Sequence, residues 1–255
     1  LYCLTARGAD LSSVMDTCSE LTEFLTRIKS GSILNMHVTS GFISNLQGKA
    51  KMLFSFGSEA FDESDLYRVR NPQILFWFYL QKCHLYLLFE KYEEAEVMMK
   101  GARDHIAGAF GMPHHPDYCL FSSLLLAHDF QSASYLGKRS RISRLKRNLR
   151  KLKAWADNCP GNWLQKYLLV SAEMERIMHS EQKAMGLYDQ ALEHARQNGF
   201  VQDEALAAEL AFRFHSARGK DKIAQNYLKD AWNAYTRWGA TRKARHMEIM
   251  NPGLQ

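Results

Sequence analysis

The stretch LYDQALEHARQNGF, residues 187–200, reads as the later part of an amphipathic helix and its stop. YLKDAWNAYTRWGA, residues 227–240, repeats the pattern 40 residues on, so that Ala191 aligns with Ala231 and Gly199 with Gly239. A glycine just past the last periodic residue suits the left-handed position that closes many helices, because it has no Cβ to clash there. The repeated alanine marks a place where a second helix crosses closely and a large side chain would force the two apart. The same spacing, small residue, large residue four later, small residue three later, occurs three times: Ala184, Tyr188, Ala191; Ala224, Leu228, Ala231; and Ala95, Met99, Ala102.

Working outward, apolar residues recur at three- and four-residue steps nearly everywhere, and no alternating strand pattern stands out. Asp10 is placed to cap a first helix ending near Lys29, and Gly31-Ser32 separates it from a second ending near Gly48. Residues 49–72, KAKMLFSFGSEAFDESDLYRVRNP, form one long irregular stretch. Beyond it the helices are expected in pairs: 73–90 with 91–108, 117–136 with 138–157, 162–179 with 181–198, and 201–218 with 220–238. The expected fold is therefore all-α, a tetratricopeptide-like right-handed superhelix of antiparallel helical hairpins. Its segments are an N-terminal hairpin over 1–48, the long loop over 49–72, and repeats over 73–255 closed by a short C-terminal helix. The 40-residue interval is longer than the usual unit of about 34, and the proline that often ends such a repeat is missing.

Composition sets bounds on function. The 255 residues are 46% hydrophobic and 24% charged, which is globular, and only 5 are proline. The 5 cysteines are scattered with no C-x-x-C pair, which argues for a reducing, cytoplasmic setting and against a zinc site or disulfide framework. The apolar run ILFWFYLQKCHLYLLF, residues 74–89, is broken by Gln81, Lys82 and His84 and is too short to span a bilayer, so a buried helix is expected. With no initiating Met and no signal sequence, Leu1 reads as a cut inside a longer chain.

The last hundred residues resemble a particular class. LKAWADNCPGNWLQKYLLVSAEMERI, residues 152–177, and LYDQALEHARQNGFVQDEALAAELAFRFHSARGKDKIAQNYLKDAWNAYTRWGATRK, residues 187–243, are similar to the helical repeat region of large bacterial signalling proteins. Those proteins join a serine/threonine-kinase-like domain, a STAND-type ATPase, helical repeats, a GAF domain and a sensor histidine kinase. NLQGKAKMLFSFGSEAFDE, residues 45–63, and YLLFEKYEEAE, residues 86–96, resemble the same region further upstream. The resemblance implies a linking segment, with catalysis outside it.

Motifs agree with a non-catalytic, cofactor-free segment: there is no G-x-x-x-x-G-K-[ST] loop, no H-E-x-x-H, no G-x-S-x-G and no kinase catalytic loop. GMPHHPDYC, residues 111–119, gathers His114, His115, Asp117 and Cys119, but adjacent histidines in a proline-bounded turn rarely converge on one ion, and a solvated turn is expected. In the long loop, Phe54, Phe56 and Phe61 are expected to pin it to its neighbours.

Two sets of residues are candidates for binding. Between Lys138 and Lys153 stand nine cations and no acid, more than the whole net charge of +6, so the remainder is net negative. The apolar stripe Ile142, Leu145, Leu149, Leu152 is narrow, leaving Arg141, Arg144, Arg147, Arg150 and Lys151 as a candidate basic docking face. An acidic protein surface or a flanking domain is its expected partner, ahead of an anionic membrane or nucleic acid; single strands would want interleaved aromatics, which the segment lacks apart from Trp155, and a solvated outer helix is the plain alternative. Second, the repeat register places His84, Lys166, Glu173, Arg176, Glu209 and Arg213 towards a groove, where mixed charge would suit a peptide or another domain. The expected function is interdomain coupling; the alternative is a ligand-sensing groove of a STAND-type regulator.

Overall fold

The structure, a computed structural model, describes residues 1–59, 61–68 and 70–254. Ala60 and Val69 of the expected loop, and Gln255 at the end of the repeat segment, lie outside the described residues. Among the described residues the chain is all-α, with twelve α-helices and no strand. It divides into two units, one of Leu1–His115 with Thr236–Met250, the other of Pro116–Tyr235 with Asn251–Gln255.

The first unit contains α1 (Tyr2–Arg7), α2 (Leu11–Arg27), α3 (Ile33–Gln47), α4 (Pro72–Leu88), α5 (Tyr92–Asp104) and α12 (Thr241–Met250). Asp10 caps α2 by accepting a hydrogen bond from the Ser13 amide at 3.0 Å. Asn71 does the same for α4, at 2.9 Å from the Gln73 amide, and Pro72 fills the first turn where no amide donor is needed. Helix α4 is buried on nearly every side, as its continuous apolar run requires. Helix α5 packs beside α4, and its Ala95, Met99 and Ala102 are all buried.

The long stretch between α3 and α4 does not divide the chain. It packs within this unit and contains a 3₁₀ turn, Glu63–Arg68. Phe56 and Phe61 are buried, and Phe56 meets Phe78 of α4 edge-on at 6.0 Å. Gly41 of α3 makes this approach feasible, since a Cβ there would lie 2.7 Å from the Phe56 Cα. Asn45 of α3 donates to the Ser55 carbonyl at 2.6 Å and accepts from the Phe54 amide at 2.7 Å, holding Phe54 at φ +65°. The phenylalanines do pin the loop, but buried polar bonds share the task.

The second unit contains α6 (His115–His128, from Pro116 on), α7 (Tyr135–Asn158), α8 (Pro160–Ile177), α9 (Glu181–Gln197), α10 (Val201–Ser216) and α11 (Asp221–Trp238, as far as Tyr235). Short turns join α8 to α9 and α9 to α10, and each pair packs side by side. Ala184, Tyr188 and Ala191 are buried on α9, and Ala224, Leu228 and Ala231 on α11, where the spacing anticipates close crossing. Gly199 has φ +76° and Gly239 φ +89°, the left-handed stops read from the sequence.

Candidate functional site

Each candidate groove residue has its own local partner. His84 belongs to the first unit, half-buried and stacked on Phe42 at 5.2 Å and Trp238 at 6.3 Å. The other five belong to the second unit. Lys166 on α8 is only 2% exposed. Its ammonium donates to Asp203 of α10 at 2.7 and 2.8 Å and lies 2.9 Å from the Asp117 carboxylate of α6. Gln165 adds a bond to Asp203 at 3.0 Å. Burial alone would lower the Lys166 pKa, but the Asp117 and Asp203 carboxylates outweigh it and raise it. For Asp203, burial dominates and pushes the carboxyl up, with Lys166 opposing.

Glu173 and Glu209 occupy matching roles on α8 and α10. Buried Glu173 accepts from Arg176 at 2.7 Å, from the same helix, and from the Tyr188 hydroxyl of α9. Arg176 also donates to the Ala127 carbonyl at 3.0 Å. Buried Glu209 is paired with Arg213 on its own helix and accepts from the Tyr235 hydroxyl of α11 at 2.7 Å. Burial, then the nearby Glu173 charge, drive the Tyr188 phenol well above its ordinary range, so it stays a donor. In both cases a carboxylate is satisfied by an Arg one turn away and a Tyr from the next helix. Sequence reading placed Lys166, Glu173 and Glu209 at a groove; the structure buries them in helix-to-helix contacts. The recurrence of Glu with Arg three or four residues later was a readable signal; the tyrosine partners were not, because they come from other helices.

No free nucleophile or acid–base pair emerges from these clusters. Burial pushes the Cys18 thiol up to about 11 and the Cys119 thiol up to about 12, far from a reactive thiolate at neutral pH. Among the described residues no three His, Cys, Asp or Glu side chains converge to hold a metal. The turn at 111–119 is not simply solvated: His114 is buried, its ring 4.0 Å from Trp77 and 5.0 Å from Tyr2, and His115 already begins α6. No helix among the described residues is long and apolar enough to cross a membrane.

His215, at the end of α10, gives a pH dependence. It is buried, stacked on Tyr227 at 5.2 Å and edge-on to Phe214 at 5.1 Å, and its Nδ1 has no hydrogen-bond partner. Burial, with Lys220 and Arg218 adding to it and Asp189 opposing, lowers its pKa. Burial also lowers that of His37, stacked on Phe61 at 4.7 Å. The unfolded chain takes up these protons near pH ~6.5 while the folded chain resists, so their contribution is complete above that pH and is lost as pH falls through the lower folded values. Thermal melts between about pH 7 and pH 5 should show Tm dropping, and His215→Phe should flatten the drop. A profile identical to wild type would refute the assignment to His215.

The basic helix is where charge faces outward. On α7 only Leu145, Leu152 and Ala156 are buried. Of the candidate docking residues, Arg141 is half-buried against Asp129 at 3.6 Å, and Arg144 is half-buried. Arg147, Arg150 and Lys151 are exposed, as is Lys146, and none of these four makes an ion pair with a described residue. Asn148 points the other way, donating to Ser123 of α6 at 3.0 Å. Beside α8 the helix forms an open cavity of about 530 Å³ lined by Ser143, Lys146, Leu149, Arg150, Lys153 and Tyr167. Lys153 is held by Asp157 at 2.8 Å. The arrangement sets solvent-exposed cations beside a cavity that Leu149 and Tyr167 help to line. Compared with known protein families, with curated proteins and with solved structures, the chain matches none.

Proposed function

We propose that this chain is a non-catalytic interaction module, a tetratricopeptide-like right-handed superhelix of antiparallel hairpins in a cytoplasmic bacterial signal-transduction protein. In this reading it couples an ATPase- or kinase-like region to a sensor histidine kinase by docking a protein surface or flanking domain. The observation that supports it most is the contrast in how charge is used. Inside the second unit, Lys166, Glu173, Arg176, Glu209 and Arg213 are engaged by neighbouring groups, whereas Lys146, Arg147, Arg150 and Lys151 of α7 face solvent. Inward charges of that kind fix helix register; outward ones of one sign attract and orient an acidic partner. The buried small–large–small trios support the repeat architecture.

The test is coupling. In a parent protein of that class, excising this segment should leave nucleotide turnover and autophosphorylation measurable but make each indifferent to the other. Coupling that survives excision refutes the proposal. A ligand-sensing role is a second reading, favoured by the cavity beside α7; it requires a small molecule that raises the Tm of the isolated chain.

A further inference from the structure

We infer that the α7–α8 cavity is the anchor point of that docking face, and that its occupant is an acidic amphipathic helix of a partner protein. This rests on reading α7 as a docking surface and goes further by naming where and what it binds. Leu149 and Tyr167 give the lining an apolar and an aromatic side chain, while the lining cations Lys146 and Arg150 are exposed and make no ion pair with a described residue. A cavity of about 530 Å³ accepts one large apolar side chain with the carboxylates that flank it. A second apolar position lies in line with it. Leu136 is 73% exposed and sits seven residues before Ser143, which puts it about 10 Å along the axis on the same side of α7. Arg139, also exposed, falls between them.

The stripe therefore reads apolar, cationic, apolar cavity, cationic, along two to three turns. Its complement is a helix with apolar residues two turns apart and acids around them, laid along α7. Charge selects the acidic partner, and the apolar anchors distinguish it from other polyanions. Single-stranded nucleic acid needs a succession of stacking rings, and the cavity has Tyr167 alone. An anionic bilayer needs a broad exposed apolar face, whereas Leu145, Leu152 and Ala156 of α7 are buried in the unit.

The experiment is fluorescence anisotropy on the full 255-residue chain. The probe is a labelled helix-forming peptide of about 18 residues, rich in Glu and Ala, carrying a Trp and a Leu two turns apart. The control peptide has Gln in place of each Glu. The acidic peptide should bind, with affinity falling as salt rises, and the control should bind roughly tenfold or more weakly. Ser143→Trp, which fills the cavity from an exposed position, and Lys146→Glu with Arg150→Glu should each weaken the acidic peptide roughly tenfold or more. If Arg147→Glu with Lys151→Glu abolishes binding while Ser143→Trp leaves it unchanged, the docking face stands and the anchor site falls. If an oligothymidine or a phosphatidylserine vesicle binds more tightly than the peptide, and Ser143→Trp removes that binding, the protein partner is refuted. Equal affinity for the acidic and neutral peptides overturns the proposal outright.

Discussion

Lys166→Met should destabilise the second unit by about 3–5 kcal/mol, measured as a shift in the denaturant midpoint at unchanged slope. The reason is what remains behind. Methionine keeps most of the aliphatic volume, but Asp203 and Asp117 then face each other without the ammonium that lay 2.7 and 2.9 Å from them. Asp203 is buried, so it must either stay charged with only Gln165 as a donor nearby or take up a proton. The loss should therefore shrink as pH falls through the carboxylate range, because the protonated acid is less costly to bury. In wild type the sign for Lys166 differs. Its raised pKa means that its contribution is complete below the unfolded lysine value, about 10.4, and declines only as pH rises through the folded value. Replacing Lys166, Asp203 and Asp117 together with apolar residues of similar shape should recover much of the deficit. A single Lys166→Met variant as stable as wild type would show that the cluster is open to water.

Lys82→Met should cost about 2–3 kcal/mol and expose residues 49–59 and 61–68 to trypsin. Lys82 reaches out of α4 to three things at once. It pairs with Glu63 at 2.7 Å, donates to the Phe54 carbonyl and lies 4.5 Å above the Phe56 ring. Glu63 in turn accepts from the Phe56 amide at 2.6 Å, so the ammonium and the carboxylate clamp the same bend from two sides. Glu63 keeps partial access to solvent, which limits the penalty when its partner is removed. Met at this position preserves the packing under the ring and removes only the charge and its hydrogen bonds. Cleavage after Lys49, Lys51 or Arg68 should accelerate while the helices of both units persist by circular dichroism. Unaltered proteolysis would mean that Phe56 and Phe61 hold the stretch without help.

The two variants divide the roles of the buried cations. Lys166 joins three helices that follow one another at intervals along the chain, so its loss is felt by the whole unit. Lys82 ties an irregular stretch to a preformed helix, so its loss is local. Both were ordinary-looking lysines in apolar runs, QKC and QKY, and both follow a glutamine that the structure also buries. That doublet was a usable cue for an inward-pointing polar pair.

By itself the sequence determined the helical class, the buried small–large–small positions and the stops. Periodicity, capping chemistry at Asp10, glycine at 199 and 239, and alanine at spaced positions are all local in the chain. They act through backbone geometry and steric size, which depend on a residue and its near neighbours. The short α1 escaped because no capping residue precedes it, and the 3₁₀ turn at Glu63–Arg68 because it is held by tertiary bonds. Only the tertiary structure decided which charges are spent and which are free. Lys166 and Asp203 are 37 residues apart, and Glu209 and Tyr235 are 26 apart, so no local pattern links them. A helix wheel gives the direction in which a lysine points, not what another helix presents to it. The burial that makes Lys166, Glu173 and Glu209 clamps between helices, and the exposure that leaves Lys146 and Arg150 beside a cavity with apolar lining, follow from how neighbouring helices pack, where desolvation makes each charge find a partner or remain in water.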